Sequence, residues 1–112
     1  MAYSEALADR VRGVLKRRRG ISEKKMFGGL CFLVNGNMAC GIVGEELMLR
    51  VGPDAYEEVL ALRHARQMDF TGRAMRGMVY VAPMGFHTEA KLRAWVDRGH
   101  GFAKKLPKKE NW

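Results

Sequence analysis

The stretch Met26-Phe-Gly-Gly-Leu-Cys-Phe-Leu-Val-Asn-Gly-Asn-Met-Ala-Cys-Gly-Ile-Val-Gly-Glu-Glu-Leu-Met-Leu-Arg-Val51 decides the fold. Apolar and β-favouring residues fill 30–34, 38–43 and 47–51, and turn residues separate them, which predicts three consecutive strands. Asn35-Gly36 is the strongest hairpin signal, because a type I′ turn needs positive φ at both central residues and these two tolerate it. Glu45-Glu46, preceded by Gly44, makes a weaker second turn.

A two-residue loop at Asn35-Gly36 places Cys31 opposite Cys40, and a two-residue second loop pairs Ile42 with Leu49. Side chains alternate across a sheet with period two. One face then carries Cys31, Leu33, Met38, Cys40, Ile42, Leu47, Leu49 and Val51 without a charge, and is expected to be core. The other carries Leu30, Phe32, Val34, Asn37, Ala39, Val43, Met48 and Arg50, half apolar, which suits a contact surface. A slip of one residue flips every side chain, so this assignment stands or falls with the register.

Working outward, Ser4 can cap a helix with Leu7, Val11, Val14 and Leu15 on one stripe, ending in the basic turn Lys16–Arg19 with Gly20 as the stop. Cations there oppose the negative end of the helix dipole, which gives them a structural reason to be basic. Residues 21–25 lead into the strands. Pro53 and Asp54 start a second helix over about 53–65. Met68-Asp69-Phe70 reads as a short strand, Thr71-Gly72 as a turn, and Met78–Ala82 as a final strand ended by Pro83. Thr88 caps a third helix that points Leu92, Trp95 and Val96 inward and stops at Gly99. The order α-β-β-β-α-β-β-α segregates helices from strands. It predicts an α+β, two-layer α/β fold, with a mostly antiparallel five-stranded sheet and helices packed chiefly on one face.

A chain of 112 residues fits one domain, expected over 1–99, with 100–112 a basic, poorly ordered tail. The 47% hydrophobic and 29% charged composition is that of a globular domain rather than a disordered one. No run approaches the ~20 apolar residues of a membrane span, and no leader is visible, so a soluble cytoplasmic protein is expected. The net charge of +8 raises the prospect of a polyanionic partner. Arg63, Arg66, Arg73 and Arg76, with Lys104 and Lys105, are the candidate nucleic-acid contacts, although no nucleic-acid-binding motif accompanies them.

Met26-Phe27-Gly28-Gly29 before a hairpin, Leu47–Val51 before a helix, Phe70-Thr-Gly-Arg-Ala-Met-Arg-Gly-Met-Val-Tyr-Val81, and Leu92–Val96 in a closing helix together resemble the TfoX/Sxy amino-terminal domain family. The resemblance spans about residues 4–99. It implies a two-layer α/β fold of the same element order. It also implies a role akin to that of regulators of natural competence in bacteria, which act with a cyclic-AMP receptor-type activator. Those regulators carry a second helical domain beyond the one matched here.

The chemistry-bearing residues give no catalytic set. His64, His87 and His100 are scattered, no Ser or Cys sits in a nucleophile elbow, and the carboxylates lie mostly on helix surfaces. Gly28-Gly29 precedes a strand, unlike a phosphate loop, and reads as a bulge or close contact. Cys31 and Cys40, as a cross-strand pair, are buried reduced thiols, a redox pair or, least of all, half of a metal site. No cofactor, metal or membrane is expected. The leading expectation is a non-enzymatic protein-interaction module in transcriptional regulation, using Leu30, Phe32, Val34, Val43 and Met48. It would form a homodimer centred on Phe32 or hold a regulatory partner protein in the second copy's place. The alternative is a small basic protein that binds nucleic acid weakly and without sequence preference.

Overall fold

The computed structural model describes residues 3–26, 28–70 and 73–108, with backbone alone at 69, 70 and 73–75. Helix α1 (Glu5–Leu15) is followed by strands β1 (Ile21–Met26), β2 (Gly29–Val34), β3 (Asn37–Val43) and β4 (Glu46–Arg50). Then come α2 (Tyr56–Leu60), β5 (Ala65–Phe70), β6 (Arg73–Val81), a 3-10 turn (Pro83–Phe86) and α3 (Glu89–Lys104). The strands form one antiparallel sheet in the order β1-β2-β3-β4-β6-β5.

The sheet therefore has six strands, against an expectation of five. The missed strand is β1, whose four central residues are exposed and polar, so it has no alternating pattern to detect. Backbone pairing with β2, from Ile21↔Val34 to Met26↔Gly29, makes it a strand. Its lysines suit an edge, where charge discourages pairing with another chain.

Local signals hold at the caps. Ser4 Oγ accepts from the Leu7 amide at 3.1 Å, and Thr88 Oγ1 accepts from the Lys91 amide at 3.2 Å. Asn35 (φ 52°) and Gly36 (φ 83°) make the two-residue turn with positive φ at both positions. Helix α2 is shorter than the expected 53–65. Ala55 offers no side-chain cap, and His64 leaves the helical region with φ 73°. The expected turn at Thr71-Gly72, Phe27 of the Met-Phe-Gly-Gly motif and the last four residues of the tail lie outside the described residues.

The face assignment needs correction. Leu33 pairs with Met38 but Phe32 pairs with Cys40, so Ala39 is an extra residue in β3, a β-bulge. Every residue from Cys40 onward swaps faces relative to an unbroken hairpin. Leu30, Phe32, Cys40, Ile42, Leu47 and Leu49 thus share one core with α1, α2, α3 and the 3-10 turn. Cys31, Met38, Met48, Met68 and Met78 form a second buried cluster on the opposite face. Val34 and Ala39 pack with Ala103.

Helix α3 also runs past its expected stop. Gly99 lies inside it, and a Cβ there would stand 2.3 Å from the Ala39 carbonyl oxygen and 2.9 Å from Leu49 Cδ1. This glycine permits close packing of helix on bulge and is not a terminator. Residues 100–104, expected in a loose tail, are therefore the helix's last turn, and Ala103 is fully buried. Two substitutions in this one helix should act in opposite directions. Gly99→Ala should destabilise by roughly 1–3 kcal/mol through overpacking. Gly101→Ala meets nothing within 4 Å and should stabilise by about 1 kcal/mol through helix propensity. Urea denaturation of the two variants measures both.

Candidate interaction cleft

Several residues expected at a surface are not there. Phe32 is 1% exposed beneath the helices, and Leu30 and Val34 are buried on the same side. Met48 lies on the opposite face but is also fully buried, and Val43 is half-buried beside it. The second sheet face is closed by its own methionines within a single chain. The homodimer centred on Phe32 therefore loses the surface argued for it. The bulge at Ala39 is the physical reason, because it turns Cys40 and Ile42 to the side of Leu30 and Phe32.

The bulge also separates the cysteines. Cys31 pairs with Gly41 and Cys40 with Phe32, and their side chains belong to clusters on opposite faces. Both are free thiols with no exposed surface. Burial disfavours the thiolate, pushing Cys31 up to about 11 and Cys40 up to about 12.

The candidate basic contacts are dispersed. Arg66 donates to Glu46, with Nε at 3.2 Å from Oε2, and lies 4.5 Å from the Tyr80 ring centroid. Arg76 is 3.6 Å from Glu57 and stacks over Tyr56. Lys104 ends α3 and Lys105 caps it, both exposed. The side chain of Arg73 lies outside the described residues. Arg63 differs from these, because it lines a cleft.

That cleft, about 400 Å³, lies between the α2–β5 connection and the outer stripe of α3. Lys91, Ala94, Trp95 and Arg98 fall at helical spacing on one side, facing Leu62, Arg63 and His64. Trp95 is half-buried, and its Nε1 donates to the Gly85 carbonyl at 2.9 Å, which fixes the indole. The Arg98 guanidinium stands 6.0 Å from the indole centroid. Leu62 is 37% exposed, an apolar side chain left at the mouth. His64 is held at φ 73° by the Ala82 amide, which donates to its carbonyl at 3.0 Å. A non-glycine residue there carries some strain, a feature that concentrates at binding sites. No carboxylate lines this cleft.

A second groove of about 350 Å³ runs by Arg12, Arg18, Glu23 and Phe32. Lys16 and Arg17 line it as well, and two of its arginines are engaged with carboxylates. Arg12 donates to both Glu23 oxygens at 2.8 and 2.9 Å, and that hydrogen bonding holds the Glu23 carboxyl below its usual range. Arg18 reaches Asp97 at 2.6 Å.

Leu62, Lys91 and Arg98 escaped the sequence reading, His64 was set aside as one of three scattered histidines, and Trp95 was assigned inward. The retrievable signal was the spacing 91, 94, 95, 98, with two cations flanking an aromatic. What the sequence could not show was that Arg63 and His64 would turn to meet it. Among the described residues, no group of three or more His, Cys, Asp or Glu side chains is placed to hold a metal, and no helix is long and apolar enough to cross a membrane.

An α+β fold with a cleft that joins Arg63, Lys91 and Arg98 to Leu62 and Trp95 is what the described residues define. The chain belongs to the TfoX N-terminal domain family, whose model matches residues 14–103. Comparison with curated proteins and with solved structures returned no match.

The thiols make a test of the bulged register. A thiol reagent at pH 8 should label neither cysteine in the folded chain and both in urea, and diamide should leave the intact mass unchanged. Both folded-state thiol pKa values lie above the ordinary 9.0. Their contribution to stability is therefore complete below pH 9 and is lost as pH rises through about 11 to 12. The urea midpoint should fall across that window, less so in Cys40→Ala.

Proposed function

We propose that this chain is a non-enzymatic protein-interaction module of the TfoX N-terminal type, acting in the cytoplasm in bacterial transcriptional regulation, and that a regulatory partner protein docks at the cleft around Trp95. Family membership supports the class of function. The observation that carries the docking site is Leu62, 37% exposed at the mouth of a cleft whose other wall is a hydrogen-bond-anchored tryptophan. A fixed aromatic wall beside an exposed aliphatic side chain is the kind of anchor on which interface energy concentrates.

The nucleic-acid alternative draws on the +8 charge. Of its candidate contacts, Arg66 and Arg76 are each engaged with a carboxylate of this chain. Binding of nucleic acid through the remaining cations should be weak and steeply salt-dependent.

A photo-crosslinking amino acid at position 62, with a control at exposed position 25, tests the docking site in the native cell. Position 62 should yield one discrete adduct, identified by mass spectrometry as a component of the transcription machinery or its regulators. The control should yield none. No adduct at 62, or the same adducts from both positions, would refute docking here.

A further inference from the structure

We propose that the cleft takes an acidic peptide segment bearing one aromatic or aliphatic side chain; this rests on the interaction-module reading and names the partner's chemistry. The walls carry Arg63, His64, Lys91 and Arg98 and no carboxylate, whereas Arg10, Arg12, Arg18, Arg66 and Arg76 each face a carboxylate of this chain. The apolar part of the lining is made by Leu62, at the mouth, with Ala94 and Trp95. A ligand complementary to both has negative charge at its edges and an apolar group at its centre. Guanidinium groups present paired donors that match a carboxylate, so Arg63 and Arg98 set the spacing of the acidic residues.

The same surface suits a nucleic acid less well. Single-stranded sites stack successive bases on several aromatic side chains along a continuous basic groove. Here one indole is available, its N–H is committed to Gly85, and Arg98 already approaches its face at 6.0 Å. A cleft of about 400 Å³ accommodates a few amino-acid side chains and not a run of nucleotides. When a carboxylate draws Arg98 aside, the indole face opens to the incoming apolar side chain. Recognition of charge and of shape are thereby coupled at one residue.

The fluorescence of Trp95 reads occupancy directly in the full chain carrying Trp112→Phe, which leaves one tryptophan. The probes are a synthetic peptide of aspartates and glutamates around a central phenylalanine, the same peptide with lysines, and oligothymidylate. The acidic peptide should quench or shift the emission saturably, and the lysine peptide should not. Arg63→Gln with Arg98→Gln should weaken binding at least about ten-fold while the circular dichroism and urea midpoint stay unchanged. Arg17→Gln with Arg19→Gln, exposed cations outside the cleft, should leave it unaltered. The proposal is overturned if no saturable change occurs, if the cleft pair binds the peptide as well as the parent, or if oligothymidylate binds more tightly through the same residues. A cross-link from position 62 to a partner segment lacking acidic residues would sink this inference and leave the proposed function standing.

Discussion

The structure depends on one close approach, that of α3 to the bulged strand β3. Gly99 presents no side chain to the Ala39 carbonyl, and nothing larger fits without moving the helix or the strand. Two further contacts hold the same region. Ala103 packs on Val34 and Ala39, and Asn37 Nδ2 donates to the Pro107 carbonyl at 2.9 Å, tying down the chain beyond the helix. Asn37 is 1% exposed, so this bond also satisfies a polar group that burial would otherwise penalise. With its carboxyl half seated in this way, α3 has one rotation available. Leu92 and Val96 go to the core, and Lys91, Trp95 and Arg98 are left along the cleft.

What the sequence disclosed and what it hid divide along the same line. The Asn35-Gly36 turn, the caps at Ser4 and Thr88, and the antiparallel α+β plan are local or pattern-level properties, and they were legible. The bulge is not local. Nothing in Met38-Ala-Cys-Gly-Ile42 distinguishes a regular strand from one with an extra residue, because both faces of this hairpin are apolar and either register buries well. The error it caused was large, since one inserted residue moved Phe32 from the expected surface to the core and parted two cysteines. Strand β1 was hidden for a different reason, as its residues are chosen for solvent rather than for packing. The cleft needed tertiary information, because its two walls lie about thirty positions apart in the chain.

The charge distribution shows why composition alone misdirects. A net charge of +8 invites a search for one basic surface. The fold instead spreads its arginines among carboxylates, with Arg10 meeting Glu89, Arg12 meeting Glu23, Arg18 meeting Asp97 and Arg66 meeting Glu46. Each exposed pair adds little to stability. Together they cancel much of the field, so the cleft stands out by what it lacks, a neutralising carboxylate.

The two buried layers differ in chemistry as well as in position. The helix-side core is built mostly from branched and aromatic side chains and, among the described residues, contains no methionine, whereas the far side of the sheet holds Met38, Met48, Met68 and Met78 with Met26 at its margin. Thioethers are the oxidisable members of an apolar interior, and conversion to sulfoxide makes a flexible apolar side chain polar. Oxidative damage to this protein is therefore directional. It would begin at Met84, 67% exposed on the 3-10 turn, and within the interior would enter at half-buried Met26, the end of β1, and spread through one layer. The helix-side core, among its described residues, offers an oxidant only the fully buried Cys40 thiol, so the two sides of a single sheet would age at different rates.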